Sequence, residues 1–478
     1  MTENIFLYLY KMMLFKPWKS YFYALLIHPT EAKVLIISRD EYYCLPCVEI
    51  NKNIGFDNFQ AIKDGMERKL GISINVLHYA SYKVEKEQRK IQGTYVLEQH
   101  NPTEEIQVGT WCDRVVPALW ADRQAVESLS FIYPEQKSII EKYLIDLESD
   151  TIPKLRPPWA QSGWFSEASA WVEEQLEKLE YQQITPVEYL RSWSISCVLK
   201  VETTAGTIYL KAASTFLPLF CDEPIVTAEL ASLFPNHMPT VISINRQRHW
   251  MLLEDFGKPI GGNVSLQVQQ DIYRLFAQIQ IQSVEQRDRL LSIGCLDRRL
   301  DILQSQIAPL INDENSLSEL SAAEIEQLHK LAPKLKNLCS QLASYKIPET
   351  LVHGDLHLNN VALHKNNYLF FDWTDSCISH PFFDLFELFL ESNQKSLFGR
   401  LKGLWKRKSQ ERLRDRYLSQ WTEYEPKERL LEAWNIAKPL CALHHAVTYQ
   451  NMIPSLEARA KQEVNALPYL LREIIRSG

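Results

Sequence analysis

No run of apolar residues in this chain reaches the roughly 20 needed to span a bilayer. The most apolar stretch, residues 1–27, is broken by Lys11, Lys16, Pro17 and Lys19. It also lacks the basic start and small-residue cleavage site of a secretory leader. A membrane-surface role for this aromatic-rich start stays open, and a cytoplasmic protein is the simpler expectation. Basic excess is missing too. With 52 Lys and Arg against 59 Asp and Glu, the net charge is −7, so no global field draws nucleic acid. The nine cysteines are odd in number and scattered, which fits reduced thiols better than a disulfide framework. Cys44 and Cys47 form a CLPC pair, but only the distant Cys112 could extend it towards a zinc site, so small buried hydrophobes are expected. The chain has neither an internal repeat nor a low-complexity tract.

What remains is ordinary globular material. At 478 residues with 46% hydrophobic and 23% charged residues, two or three domains with real cores are expected. The expected fold class is α+β. Strand signals cover residues 21–28, 33–38 and 42–48, and a helix covers 57–70 with Gly71 as its C-cap. Strands over 73–82 and 91–98 follow, then a helix over 131–147. This gives an α/β domain over residues 1–150. The Pro-rich stretch 151–158 reads as a linker, and Ser166 as the cap of the next helix.

A β-rich lobe is expected over 159–256. Residues 186–202 read as strand with a small-residue patch at 192–196, and a turn then leads into a strand carrying Lys211. Glu229 follows on a helix. An ammonium that offsets phosphate charge, fixed by a carboxylate, is what a nucleotide lobe needs, although a surface strand lysine has the same look. The patch holds Ser194 but lacks GxGxxG, so close backbone approach to phosphates is less clearly provided. Strands over 241–244 and 250–254 end in LLEDFG, where Glu254 and its neighbours could offer backbone groups to a base. Residues 257–478 read as a helical lobe. Ser265 caps one helix there, and Ser321 with Glu324 forms a capping box.

The most informative stretch is residues 351–388. Asp355 and Asn360 stand five apart in a loop-like HGDLHLNN segment, and Asp372 ends an apolar strand in FDW. Phosphoryl transfer to a hydroxyl needs a carboxylate at the attacking oxygen and hard oxygen ligands for Mg²⁺, and this spacing supplies both. Here the chain resembles the aminoglycoside phosphotransferase and choline kinase family, which has a two-lobed protein-kinase-like fold. The resemblance spans residues 159–390. It implies Asp355 as catalytic base, Asn360 and Asp372 as Mg²⁺ ligands, Lys211 with Glu229 as a phosphate-binding pair, and ATP as donor. It also implies that His353 supports the loop and that Asp384 is a buried structural carboxylate. Leu358 stands where proline is usual, which removes no functional group. His357, His444 and His445 receive no role.

Residues 1–150 resemble the Nudix hydrolase fold more weakly, through residues 64–72 (DGMERKLGI). That family's Arg-Glu start falls on Asp64-Gly65 and its Glu pair on Arg68-Lys69. Basic side chains cannot ligate Mg²⁺, so a noncatalytic domain that binds, regulates or scaffolds is expected.

The acceptor is expected to be a small hydroxylated molecule under the C-terminal helices, with sugars, choline-like amines and other small alcohols open. Glu387 and Glu391 could face a cationic or polyhydroxyl acceptor. Residues 395–416 carry nine Lys or Arg against two acidic residues, which leans away from polycationic aminoglycosides. A noncatalytic nucleotide-binding regulatory module is the alternative reading. The full set Asp355, Asn360, Asp372 and Lys211 favours the enzyme.

Overall fold

The computed structural model describes residues 17–39, 41–101, 110–111, 114–115, 118–149, 153–214, 216–390 and 397–478. Cys112, Glu391 and most of the apolar start, residues 1–16, lie outside them, as do residues 151–152 of the expected linker. The described part divides into two bodies, Met1–Ala212 and Ala213–Gly478.

In the first body the central strand β1 (Lys19–Leu26) has every residue from Phe22 to Leu26 buried. That continuous run reflects a sheet covered on both faces. The body continues with β2 (Val34–Arg39), β3 (Tyr42–Cys44), β4 (Cys47–Ile50), α1 (Phe59–Leu70), β5 (Ile74–Glu85) and β6 (Lys90–Gln99). The main sheet has the order β4-β1-β6-β5, with β1 parallel to β6 and the other pairs antiparallel. The single strand expected over 42–48 is two strands, interrupted at Leu45-Pro46 because proline cannot donate to a ladder. The charged stretch 83–90 is partly strand, since β5 and β6 pair out to Glu85 and Lys90.

Helix α1 forms where Asn58 accepts from the Ala61 amide and ends where Gly71 adopts a left-handed φ of 70°. It buries Phe59, Ile62, Met66 and Leu70, a spacing of three and four that makes one helical face. On the opposite face of the sheet Tyr23, Leu25, Leu77 and Val96 form a core with Ile140 and Leu144. The latter two come from α2 (Pro134–Glu148).

Helix α3 (Trp164–Lys178) starts two residues before the expected cap at Ser166, because Gly163 opens it with φ 81°. Its expected face holds: Ala168, Val172 and Leu176 are buried. The strand signal over 186–202 resolves into β7 (Glu188–Ser192) and β8 (Ser196–Thr203), followed by β9 (Gly206–Ala213). These strands fall largely within the first body and pack against its α/β domain. Tyr189 of β7 packs its ring 5.7 Å from Phe59 and 4.6 Å from Phe165, and its hydroxyl donates to Val76 O at 3.2 Å.

The second body contains α4 (Glu223–Leu233), the hairpin β10 (Val241–Asn245) and β11 (Trp250–Glu254), and α5 (Leu266–Ser283). Ser265 caps α5 through the Val268 amide, and Ser321 with Glu324 forms the expected capping box of α6 (Ala322–Ala343). Three short strands make one sheet in the order Leu296–Asp297, Cys377–Ser379, Thr350–Val352. A hairpin pairs β12 (Val361–His364) with β13 (Asn367–Phe370). A long helix, α7 (Lys427–Met452), supplies Ala433, Ala437, Leu440 and Leu443 to a core that also holds Phe276, Trp373, Phe382 and Trp421. No helix among the described residues is long and apolar enough to cross a membrane.

Candidate active site

The 353–384 segment is built around one buried carboxylate. Asp384 is 3% exposed and accepts from three donors: the His353 amide at 3.0 Å, the Gly354 amide at 2.8 Å and Gln280 Nε2 at 2.9 Å. Burial pushes its carboxyl up to about 7, and the two backbone donors oppose that shift. The buried amides of His353 and Gly354 are thereby satisfied.

His353 is buried and fixed in one tautomer. Its Nδ1 accepts from the Asp355 amide at 3.3 Å, so Nε2 carries the proton and donates to Phe371 O at 3.0 Å. Burial holds its pKa down, which keeps the ring neutral. His353 thus ties the Asp355 loop to the strand end before Asp372, the support role implied by the resemblance.

Gly354 sits at φ 84°, and a Cβ there would lie 2.4 Å from Asp375 O. Only glycine fits both the left-handed backbone and that approach. Asp355 itself is half exposed. Asn360 is buried and donates its Nδ2 to Asp355 O at 2.9 Å and to Asp355 Oδ2 at 3.2 Å. That leaves the amide oxygen directed away from Asp355. The Asn360 carbonyl accepts from the Phe371 amide at 3.1 Å, which sets the next residue, Asp372, beside it in sequence register.

Asp372 has φ 67°, a left-handed conformation rare for a residue with a side chain. Such strain, on the order of 1–3 kcal/mol, persists where surrounding structure imposes it. Here Trp373 is fully buried with its ring 4.5 Å from His353. Thr374 Oγ1 lies 3.2 Å from Asp372 Oδ1 and 2.9 Å from Glu223 Oε2. Asn360 and Asp372 provide an amide oxygen and a carboxylate, hard donors that suit Mg²⁺. Among the described residues no three His, Cys, Asp or Glu side chains group as ligands. A cation on this pair would complete its shell with phosphate oxygens and water.

Of the other expected residues, Lys211 lies on β9 and is 7% exposed. Ser194 is half-buried in the turn between β7 and β8. Glu254 ends β11, is exposed, and spends its amide on Thr240 O at 3.1 Å. Glu229 has a partner not foreseen: its carboxylate pairs with Arg289 at 2.7 Å. The buried carboxylate of the same helix is Glu223, 1% exposed, which accepts from the Trp373 amide at 3.1 Å. Only its position ahead of Pro224, at a helix start, marks it in the sequence. His357, left without a role above, has Nε2 3.3 Å from Asp355 Oδ2, and this hydrogen bond raises its pKa.

Beside Asp355 opens a cavity of about 260 Å³. Asp355, His357, Phe386, Glu387, Tyr449 and Tyr469 are among its lining residues. Glu387 thus lines this cavity, and Glu391 lies outside the described residues. Helix 397–418 is tied to the rim through Gln410 Nε2, which donates to Glu387 O at 3.2 Å.

Residues 270–444 match the family described as "Phosphotransferase enzyme family". The matched residues include Asp355, Asn360 and Asp372, and the match is to the class of enzyme that the resemblance implies. Among solved structures the chain is similar to a choline/ethanolamine kinase family protein from Mesorhizobium loti, at 14% identity over 66% of this chain and 93% of that one, with TM-score 0.44. It is similar to a macrolide 2'-phosphotransferase type I at 14% identity, over 64% and 97% of the two chains, with TM-score 0.44. It is also similar to a choline kinase from Streptococcus pneumoniae at 14% identity, over 65% and 99%, with TM-score 0.42. No curated protein matches the chain. The Nudix-like reading of the first body has no counterpart in these matches.

Proposed function

We propose that the chain transfers the γ-phosphoryl group of ATP to a hydroxyl of a small molecule bound in the cavity beside Asp355. The observation that carries this reading is the Asp355–Asn360 pair. One amide group holds the base loop through its nitrogen, so that its oxygen would serve a cation. In this reading Asp355 orients the acceptor hydroxyl and takes its proton. Asn360 and Asp372 hold Mg²⁺, which when bound neutralises charge on the phosphates. Lys211 offsets phosphate charge, Ser194 meets the phosphates, and Glu254 lies where the base is received. Glu229 supports that end of the site only if it leaves Arg289.

The acceptor is a compact alcohol carrying positive charge. The carboxylates of Asp355 and Glu387 line the cavity together with the rings of Phe386, Tyr449 and Tyr469. Both features favour a cation. Burial depresses His445, on the same wall, to about 4, so it is neutral. The α/β domain of the first body does no hydrolysis in this reading, since Arg68 and Lys69 stand where carboxylates would be needed. The enzyme works in the cytoplasm, in keeping with its free cysteines.

The test is Mg²⁺-dependent ATP consumption against a panel of amino alcohols and sugars. Asp355→Ala should lower kcat by roughly 10²–10⁴ while nucleotide still binds. Asp372→Ala should lose Mg²⁺-dependent nucleotide binding. Unchanged turnover in the first variant, or unchanged binding in the second, overturns the corresponding assignment.

A further inference from the structure

The turn between β7 and β8 contains no glycine, yet its backbone is fixed from several sides. It closes on itself through the Trp193 amide, which donates to Ser196 O at 3.1 Å, and through Trp193 Nε1, which donates to Ser196 Oγ at 3.0 Å. The remaining anchors come from outside the lobe expected over 159–256, or from its first residue. Trp159, 3% exposed, donates its indole N–H to Trp193 O at 2.6 Å. The Ser192 amide donates to Asp57 O at 3.2 Å, just before α1. The Asp57 carboxylate pairs with Arg191 at 3.0 Å, and that guanidinium lies 4.4 Å over the Trp193 ring. One step along β7, the Tyr189 amide donates to Gln60 Oε1 at 2.9 Å.

These bonds are specific to the edge of the strand. β7 is the outermost strand of its sheet, so its outward amides need acceptors. Gln60 and Asp57, at the start of α1, supply them. The α/β domain therefore covers the edge and clamps the turn from outside, in addition to the bonds by which the turn closes on itself.

We infer that Trp159 and Asp57 are positioning residues for the turn that carries Ser194, and that the α/β domain is thereby a working part of nucleotide binding. This rests on the reading of Ser194 as a phosphate contact. With the clamp intact, the turn is preorganised, and nucleotide binding does not have to order it. Loosening it weakens nucleotide capture and leaves the chemistry at Asp355 alone.

The experiment uses the full chain with Trp159→Phe, which keeps an aromatic side chain and removes the indole donor, and with Asp57→Asn, a milder change at a partly exposed site. KM for ATP, kcat, and KM for the acceptor are measured beside hydrogen exchange of residues 192–196. The expected result is a three- to tenfold rise in KM for ATP, kcat and acceptor KM unchanged, and faster exchange in the turn. An unchanged KM for ATP despite faster exchange overturns the inference. So does a parallel loss of kcat and both KM values, which marks general damage. Absence of nucleotide binding by the unaltered chain is a different failure: it removes the nucleotide reading itself, and the inference with it.

Discussion

The loop that carries Asp355 and the turn that carries Ser194 are both short polar connections at strand ends, and they are held in opposite ways. The loop is fastened from within its own body. Asp384 lies beneath it, His353 ties it to Phe371, and Gly354 lets it lie against Asp375. The turn is fastened by the α/β domain through Asp57 and Gln60, and by Trp159 at the start of its own lobe. Internal fastening uses buried donors and a buried charge, so it is costly to disturb. Fastening at a sheet edge uses partly exposed bonds of about 1 kcal/mol each, so it is adjustable.

The largest break in that contrast is Asp384→Ala. Three donors would be left in the core without their acceptor, a loss of about 3–5 kcal/mol. A fall of that size in urea-unfolding free energy is expected, with activity lost even where the protein folds. A loss below about 1 kcal/mol would show that the loop is not held as described.

The next is a pH effect confined to the second body. His380 and His444 are buried with depressed pKa values, as is His445. A depressed histidine contributes stability that is present above its unfolded pKa of about 6.5. That stability is lost as pH falls through the folded values, about 4 for His445 and about 3 for His380. Asp384, raised to about 7, works the other way: its contribution is present below its unfolded pKa and lost as pH rises towards 7. His353 is a fourth depressed ring, and burial raises Asp375 as it does Asp384; with four histidines against these two carboxyls, the urea midpoint of this body should fall between pH 6.5 and 4. A rising midpoint would contradict the neutral buried histidines.

The smallest effect is expected for Gln60→Ala. It removes one edge acceptor and should cost about 1 kcal/mol, with the midpoint of the first body shifting and that of the second unchanged. An equal shift in both would break the distinction between the two ways of fastening.

The same contrast explains what could be read from the sequence. The 353–384 loop declares itself because its chemistry and its supports lie within about thirty residues. His353, Gly354, Asp355, Asn360, Asp372 and Asp384 all fall in one stretch. Caps at Asn58, Ser265 and Ser321 depend on neighbouring residues, and of these Ser265 and Ser321 were legible for that reason. Glu229 and Glu223 show the limit. Both are glutamates on one helix, and burial decides which becomes the shared acceptor for Trp373 and Thr374. Ser166 was misplaced because a left-handed glycine can open a helix without a side-chain cap. The clamp on the Trp193 turn was hidden for a different reason. Asp57 and Arg191 are 134 residues apart, and neither residue type announces a partner at that distance.

Distance along the chain also bears on how the site comes into being. Gln280 bonds Asp384 across 104 residues, and His353 meets it across 31. Contacts of such span form late, after the loop-closure entropy between them has been overcome. The loop bearing Asp355 therefore cannot take its shape while helix α5 is undocked, whatever its local sequence prefers. A nascent or partly unfolded chain holds Asp355, Asn360 and Asp372 but not the geometry that Asp384 and Gln280 impose on their loop.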